Sequence, residues 1–185
     1  MAQRICPWWI GYLLASPLRR LRQDPHAILS PFVSEGMTVL EPGPGMGFFT
    51  LELARLVGPR GRVVAVDVQP KMLEGLRRRA GRAGLADRIE LRAPQGSRIG
   101  TDDLRAAVDF VLAFAVVHEL PDIAGFFAES RQALKASGRM LVAEPTAHVT
   151  EEAFITTLGL AAGAGFSIES RPAIRRSRSV VLVPR

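Results

Sequence analysis

The sequence predicts an α/β fold, doubly wound around a seven-stranded, mostly parallel sheet that closes on a C-terminal antiparallel hairpin. Three observations predict it. Apolar runs that read as buried strands alternate with helical patterns from Met37 to Ala162. The longest run, Val108 to Val117, is apolar enough for a strand covered on both faces, as at the centre of a parallel sheet. Two more strand patterns, Phe166–Glu169 and Ser179–Val183, follow with no helix between them, so they must pair antiparallel. At 185 residues and 48% hydrophobic, the chain is one domain with room for a real core.

The first stretch needs separating from the rest. Ile5 to Ala15 is apolar and follows Arg4, as a signal peptide would. It also holds Pro7 and Gly11, runs into Arg19, Arg20 and Arg22, and lacks a small-residue cleavage pattern. It is too short to span a bilayer. Trp8 to Arg22 reads as an amphipathic arm. Its Trp8, Trp9, Tyr12, Leu13 and Leu14 need burial against the domain, in a substrate pocket or at a membrane surface. Asp24-Pro25 then opens a helix through Leu29, by the rule of a capping acid followed by proline. Residues 1–36 are thus an expected arm or lid, and residues 37–185 the domain proper.

Met37 to Leu40 is the first strand. It turns through Gly43, Gly45 and Gly47 into a helix over Phe49 to Val57. Strand, glycine-rich turn and helix N-terminus together build either a cradle for a nucleoside cofactor or a tight turn with no ligand. Gly61 to Asp67 is the second strand, bounded by Gly58-Pro59 and Pro70. Lys71 to Ala83 is a helix with Met72, Leu73 and Leu76 inward and Arg77 to Arg79 outward, ending at Gly84. Ile89 to Leu91 is a short third strand, and Val108 to Val117 the fourth. A helix starts at Pro121-Asp122 and reaches Lys135, where Ser137-Gly138 ends it. Arg139 to Ala143 is the fifth strand, stopped by Glu144-Pro145, and a helix follows from Thr150 to Ala162.

Asp67 ends the second strand, twenty positions beyond Gly47. In a nucleotide-binding α/β unit, a carboxylate there accepts from ribose hydroxyls; a turn or helix-capping aspartate is the plainer alternative. Nicotinamide dinucleotides use the same geometry, but their glycines are spaced G-x-G-x-x-G, and here the third falls one residue early. The chain also has no room for a dehydrogenase's substrate domain. Glu41, just ahead of the glycines, would repel a pyrophosphate and attract an ammonium group. The expected ligand is a cationic nucleoside.

Glu41-Pro42-Gly43-Pro44-Gly45-Met46-Gly47, followed by Asp67, resembles the first two motifs of class I S-adenosylmethionine-dependent methyltransferases. The strand order ending in a hairpin is also that family's, so the resemblance covers residues 37–185. It implies a Rossmann-like methyltransferase fold with S-adenosylmethionine as cofactor. Gly43, Gly45 and Gly47 would lie under the methionine part, Glu41 near its amino group, Asp67 on the ribose and Val68 beside the adenine. Gln95 would stand where most members carry an acid for the adenine amine, and Phe114 joins the cofactor side. The core resembles the quinone-biosynthesis enzymes. The arm from Cys6 to Leu14 resembles the start of a group of small prokaryotic methyltransferases.

A sulfonium methyl group is already activated, so the cofactor carries the hard step. The protein must align a nucleophile and exclude water, an effect worth up to ~7–11 kcal/mol. A thiol or amine acceptor needs no strong general base; a hydroxyl or carbon acceptor does. His118 and Glu119 follow the fourth strand, at the carboxyl edge where ligands bind such sheets, and are the expected catalytic pair. His148 is the second choice. The plainer readings are a loop histidine bonded to backbone and a glutamate serving the next helix N-terminus. Trp8 and Trp9 either close over the pocket as a cation–π face or pack on the core.

A small-molecule acceptor is the leading expectation. Ala115-Val116-Val117-His118 stands where amide and adenine methyltransferases keep an Asn-Pro-Pro-Tyr-type motif, and no RNA-binding module is appended. An RNA or protein acceptor is the second reading. It draws on a formal charge of +6 carried almost wholly by arginine, since Lys71 and Lys135 are the only lysines. Those arginines are scattered, as on a solvated surface. A non-catalytic cofactor-binding regulator is the third. Cys6 is the only cysteine, which excludes a disulfide framework and a cysteine-based metal site and makes a cytoplasmic setting the expectation.

Overall fold

The structure is a computed structural model that describes residues 23–94 and 98–185. The arm up to Arg22 and the stretch holding Gln95 lie outside the described residues. The chain divides at Pro94 into two compact units.

Among the described residues, the first unit opens with α1 (Pro25–Leu29). The Asp24 carboxylate caps it by accepting from the His26 backbone N–H at 2.9 Å, and Pro25 fills the first turn, as predicted. Leu29 and Val33 are buried, so this segment is pinned to the unit rather than hanging free. Then come β1 (Thr38–Pro42), α2 (Thr50–Leu56), β2 (Arg62–Val66), α3 (Pro70–Arg82) and β3 (Ile89–Arg92). The strands pair in parallel, β1 with β2 and β2 with β3; Leu40 lies opposite Val64, and Val64 opposite Glu90. On α3, Met72, Leu73, Leu76 and Ala80 are buried, while Arg77 and Arg78 face water. Arg79 departs from the expectation. It falls three residues after Leu76, at the border of the inward face, and its guanidinium donates to the Met46 carbonyl.

The second unit contains β4 (Val108–Phe114), α4 (Ile123–Ala133), β5 (Leu134–Pro145), α5 (Glu151–Gly163), β6 (Phe166–Ser170) and β7 (Ser177–Pro184). Asp122 caps α4 by accepting from the Gly125 backbone N–H at 2.8 Å. Thr150 Oγ1 caps α5 by accepting from the Ala153 N–H at 3.2 Å, with Glu151 and Glu152 in the first turn. Phe110, Phe127, Phe154 and Phe166 are fully buried and form its centre. β4 and β5 run parallel, whereas β7 is antiparallel to both β5 and β6. The predicted hairpin is therefore present, with its second strand lying between β5 and β6.

The seven strands are ordered β3-β2-β1-β4-β5-β7-β6, mostly parallel with an antiparallel C-terminal pair, which is the predicted fold class. Two predicted boundaries fail. The fourth strand stops at Phe114 rather than Val117, because Ala115 adopts the left-handed region at φ 55 and residues Val117–Glu119 form a short 3-10 turn. The helix predicted to reach Lys135 ends at Ala133. Leu134 is already extended (φ −68, ψ 137) and pairs with Val108 at the start of β4. The register then jumps to Arg139 opposite Phe110, so Ser137-Gly138 sits in an irregularity of β5 instead of ending a helix. Gly138 is where this folds back tightly: a Cβ there would meet Leu134 Cδ2 at 2.7 Å and the Val108 carbonyl at 3.1 Å. Among the described residues, no helix is long and apolar enough to cross a membrane.

Candidate active site

The glycine turn between β1 and α2 is the chemical centre of the first unit. Gly45 and Gly47 both lie in the left-handed region, at φ 54 and 83, but they do different things. A Cβ added to Gly45 would meet nothing within 4 Å, so the backbone borders open space. A Cβ on Gly47 would run into Leu76 Cδ1, so that glycine allows α3 to pack against the turn. Gly43 starts the turn and donates its N–H to the Val66 carbonyl at 2.8 Å, fixing the turn to the end of β2.

Glu41 stands at the end of β1, 3% exposed, and its Oε2 has no hydrogen-bond partner among the described residues. The hydroxyl of Thr50, the first residue of α2, is also buried and stands beside the Glu41 carboxyl. Burial pushes the Glu41 carboxyl up to about 8; the Thr50 hydroxyl tempers the rise and the Asp67 charge adds to it. An orphaned buried acid is costly unless a partner satisfies it, and a cation is the partner that suits it best.

The third component is Asp67, directly after β2 and 8% exposed. Its Oδ2 accepts from the Gly45 N–H at 3.2 Å and its Oδ1 from the Gln69 N–H at 2.9 Å. The turn-forming role considered for this aspartate is therefore real. Val68 beside it is 59% exposed, a large apolar side chain left on the surface. An unpartnered buried carboxyl oxygen, open space over Gly45, an acceptor at Asp67 and an apolar face at Val68 fit an ammonium-bearing nucleoside. A dinucleotide fits worse, because its phosphates bring no cation to offset the burial of the Glu41 carboxyl.

In the second unit the chain after β4 is held by a residue that sequence reasoning used only as a strand stop. Glu144, 1% exposed near the end of β5, accepts with Oε1 from the backbone N–H groups of Val116 at 3.2 Å and Val117 at 2.9 Å. Its Oε2 is hydrogen-bonded to Nδ1 of His118. That bond holds the His118 pKa above its ordinary value; half-burial opposes the rise, and the charges of Glu144 and then Glu119 add to it. His118 Nε2 lies 3.9 Å from Glu119 Oε1. The ring of His148 stands edge-on to that of His118, with centroids 5.7 Å apart. His118, Glu119 and His148 thus form one cluster with Glu144, and Phe114 is buried at the end of β4 in the same unit. Two sequence signals pointed towards Glu144, an acid ending an apolar strand and a proline after it. Its partners became visible only through the pairing of β4 with β5, where Phe114 lies opposite Ala143.

Comparison with known proteins gives the family. The methyltransferase-domain family matches residues 33–165. A protein-L-isoaspartate O-methyltransferase from Hyperthermus butylicus is 31% identical over 139 residues, covering 71% of this chain and 53% of that protein. A ubiquinone/menaquinone biosynthesis C-methyltransferase from Hahella chejuensis is 30% identical over 125 residues, 66% of this chain and 49% of that one. The crystal structure of a SAM-dependent methyltransferase from Aquifex aeolicus superposes with a TM-score of 0.83 at 25% identity, covering 97% of this chain and 98% of that one. The chain spans about half the length of these two curated relatives.

Proposed function

Since this chain belongs to the methyltransferase-domain family, we propose that it transfers a methyl group, in line, from S-adenosylmethionine to a small-molecule acceptor. One observation carries the reading: Glu41, a buried acid with an unpartnered oxygen beside a glycine turn, suits the cofactor's ammonium group. Gly45 leaves room for the methionine part between Gly43 and Gly47, Asp67 accepts from the ribose hydroxyls and Val68 lies against the adenine. When bound, the cofactor supplies a methyl group activated on a sulfonium. The residues of this chain bind, orient and exclude water, while His118 and Glu119 serve the acceptor. A cytoplasmic setting belongs to the same proposal.

The small-molecule acceptor is supported by the quinone-biosynthesis relative and by Ala115-Val116-Val117-His118 after β4. The isoaspartate relative and the exposed Arg77, Arg171, Arg175 and Arg176 favour a protein or RNA acceptor instead. Calorimetry with S-adenosylmethionine and with NAD tests the cofactor: binding of the first and not the second is expected. Turnover of small acceptors, insensitive to salt, supports the leading reading. RNA binding that falls steeply with salt supports the second. A protein that binds the cofactor and methylates nothing is a regulator.

A further inference from the structure

We propose that Glu144 is the positioning residue of a general base at His118, and that the acceptor this base serves is an acidic hydroxyl, a phenol or an enol. The proposal rests on the methyl-transfer reading above and deepens it.

The geometry begins with the backbone. Ala115, held at φ 55 without being glycine, turns the chain out of β4, so that the next two N–H groups point at one carboxylate. Oε1 of Glu144 takes both, which fixes the carboxylate and leaves Oε2 for a single ring nitrogen. An ionised carboxylate only accepts, so Nδ1 of His118 must donate, and the neutral imidazole then keeps its lone pair on Nε2. With Nδ1 occupied, Nε2 is the one ring atom able to take a proton from elsewhere. The groups facing the ring are Glu144 behind it, Glu119 with Oε1 at 3.9 Å from Nε2, and the His148 edge. Both carboxylates favour an imidazolium.

The strength of this base selects the acceptor. A thiol, with a pKa of about 8.5, ionises appreciably near neutral pH unaided, and an amine attacks through its own lone pair. A phenol, at about 10, stays protonated at pH 7 yet lies within reach of an imidazole. An aliphatic alcohol is far too weak an acid for it. In the step, the acceptor's O–H proton passes to Nε2 as the O–CH3 bond forms and the methyl–sulfur bond breaks, with that bond's electron pair staying on sulfur. His118 is left as an imidazolium against Glu144 and returns its proton to water.

The ring is observed by NMR in the full chain, where it is one of three histidines. The neutral ring is expected to carry its proton on Nδ1, with a pKa above 6.5. Glu144→Gln keeps an oxygen for Val116 and Val117 but presents an amide N–H2 to Nδ1. The ring proton should then move to Nε2 and the pKa should fall. Phenol, thiophenol and aniline are matched acceptor probes. Phenol turnover should fall about 100-fold or more in Glu144→Gln and in the half-buried His118→Gln, with donor Kd by calorimetry unchanged. A wild-type ring protonated on Nε2, a ring unmoved by Glu144→Gln, or phenol turnover retained in His118→Gln overturns the proposal. So does preference for thiophenol or aniline. If Glu144→Gln does not fold, His118→Gln decides. If the wild type binds no donor, the methyl-transfer reading fails, and the ring measurements still decide whether Glu144 positions His118.

Discussion

Asp67 accepts the backbone N–H of Gly45 at 3.2 Å, so the acid at the end of β2 holds the middle of the glycine turn. A single side chain thus has a structural task and a proposed binding task, and mutation should separate them.

Asp67→Ala removes both turn bonds and the proposed ribose acceptor. Each backbone N–H it leaves without a partner should cost about 1 kcal/mol of stability, read by urea denaturation. S-adenosylmethionine affinity should fall by a further ~1.5–3 kcal/mol, read by calorimetry on the folded fraction. Unchanged affinity would show that Asp67 is a turn residue and nothing more.

The Glu41 carboxyl gives a pH signature. Its folded pKa, about 8, lies above the ordinary value of 4.5, so between these pH values the folded state binds the extra proton. Stability without ligand should therefore fall as pH rises from 4.5 to 8, by roughly 3–5 kcal/mol if this group acts alone. Glu41→Gln should flatten that slope and raise the melting temperature at pH 8. It should weaken donor binding in the same preparation, since an amide does not attract the ammonium group. A variant that binds the donor as well as wild type removes Glu41 from the site.

Gly45 and Gly47 should respond differently to the same added methyl group. Gly45→Ala meets no neighbour and carries only the left-handed strain, about 1–2 kcal/mol, so thermal stability changes little while donor binding drops sharply. Gly47→Ala collides with Leu76, so its first effect is on stability, and pairing it with Leu76→Ala should yield less than additive losses. Loss of stability at Gly45 comparable to that at Gly47 would contradict the open space seen beside it.

The His118–Glu144 pair makes a second pH prediction, of known sign. A histidine whose folded pKa is raised stabilises fully below its unfolded value, and that contribution is lost as pH rises through the folded one. The stability gap between wild type and His118→Gln should be widest near pH 5 and narrow above neutrality. Taking the difference cancels the Glu41 slope. A gap independent of pH would mean that the ring contributes packing and no charge.

What the sequence made legible was local. The glycine turn, the Asp24 cap and the closing strands each follow from a few neighbouring residues, and all are present. What it hid depends on pairing. Leu134 looks helical by period, yet Val108 draws it into the sheet. Glu144 looks like a strand end, and only the register of β4 on β5 reveals that it holds Val116, Val117 and His118. Gly47 looks like its neighbours Gly43 and Gly45 until Leu76 is seen against it.

The position of β7 bears on how the protein is made. Of the seven strands it leaves the ribosome last, yet it lies inside the sheet, with Leu182 paired to Met140 on one side and to Ile168 on the other. Until it emerges, β5 offers Met140, Leu141 and Val142 on an open edge to any passing strand, and β6 has no partner at all. The nascent chain is thus at its most aggregation-prone just before β7 is translated. A stalled or clipped product would be a client for chaperones rather than a smaller version of the same fold.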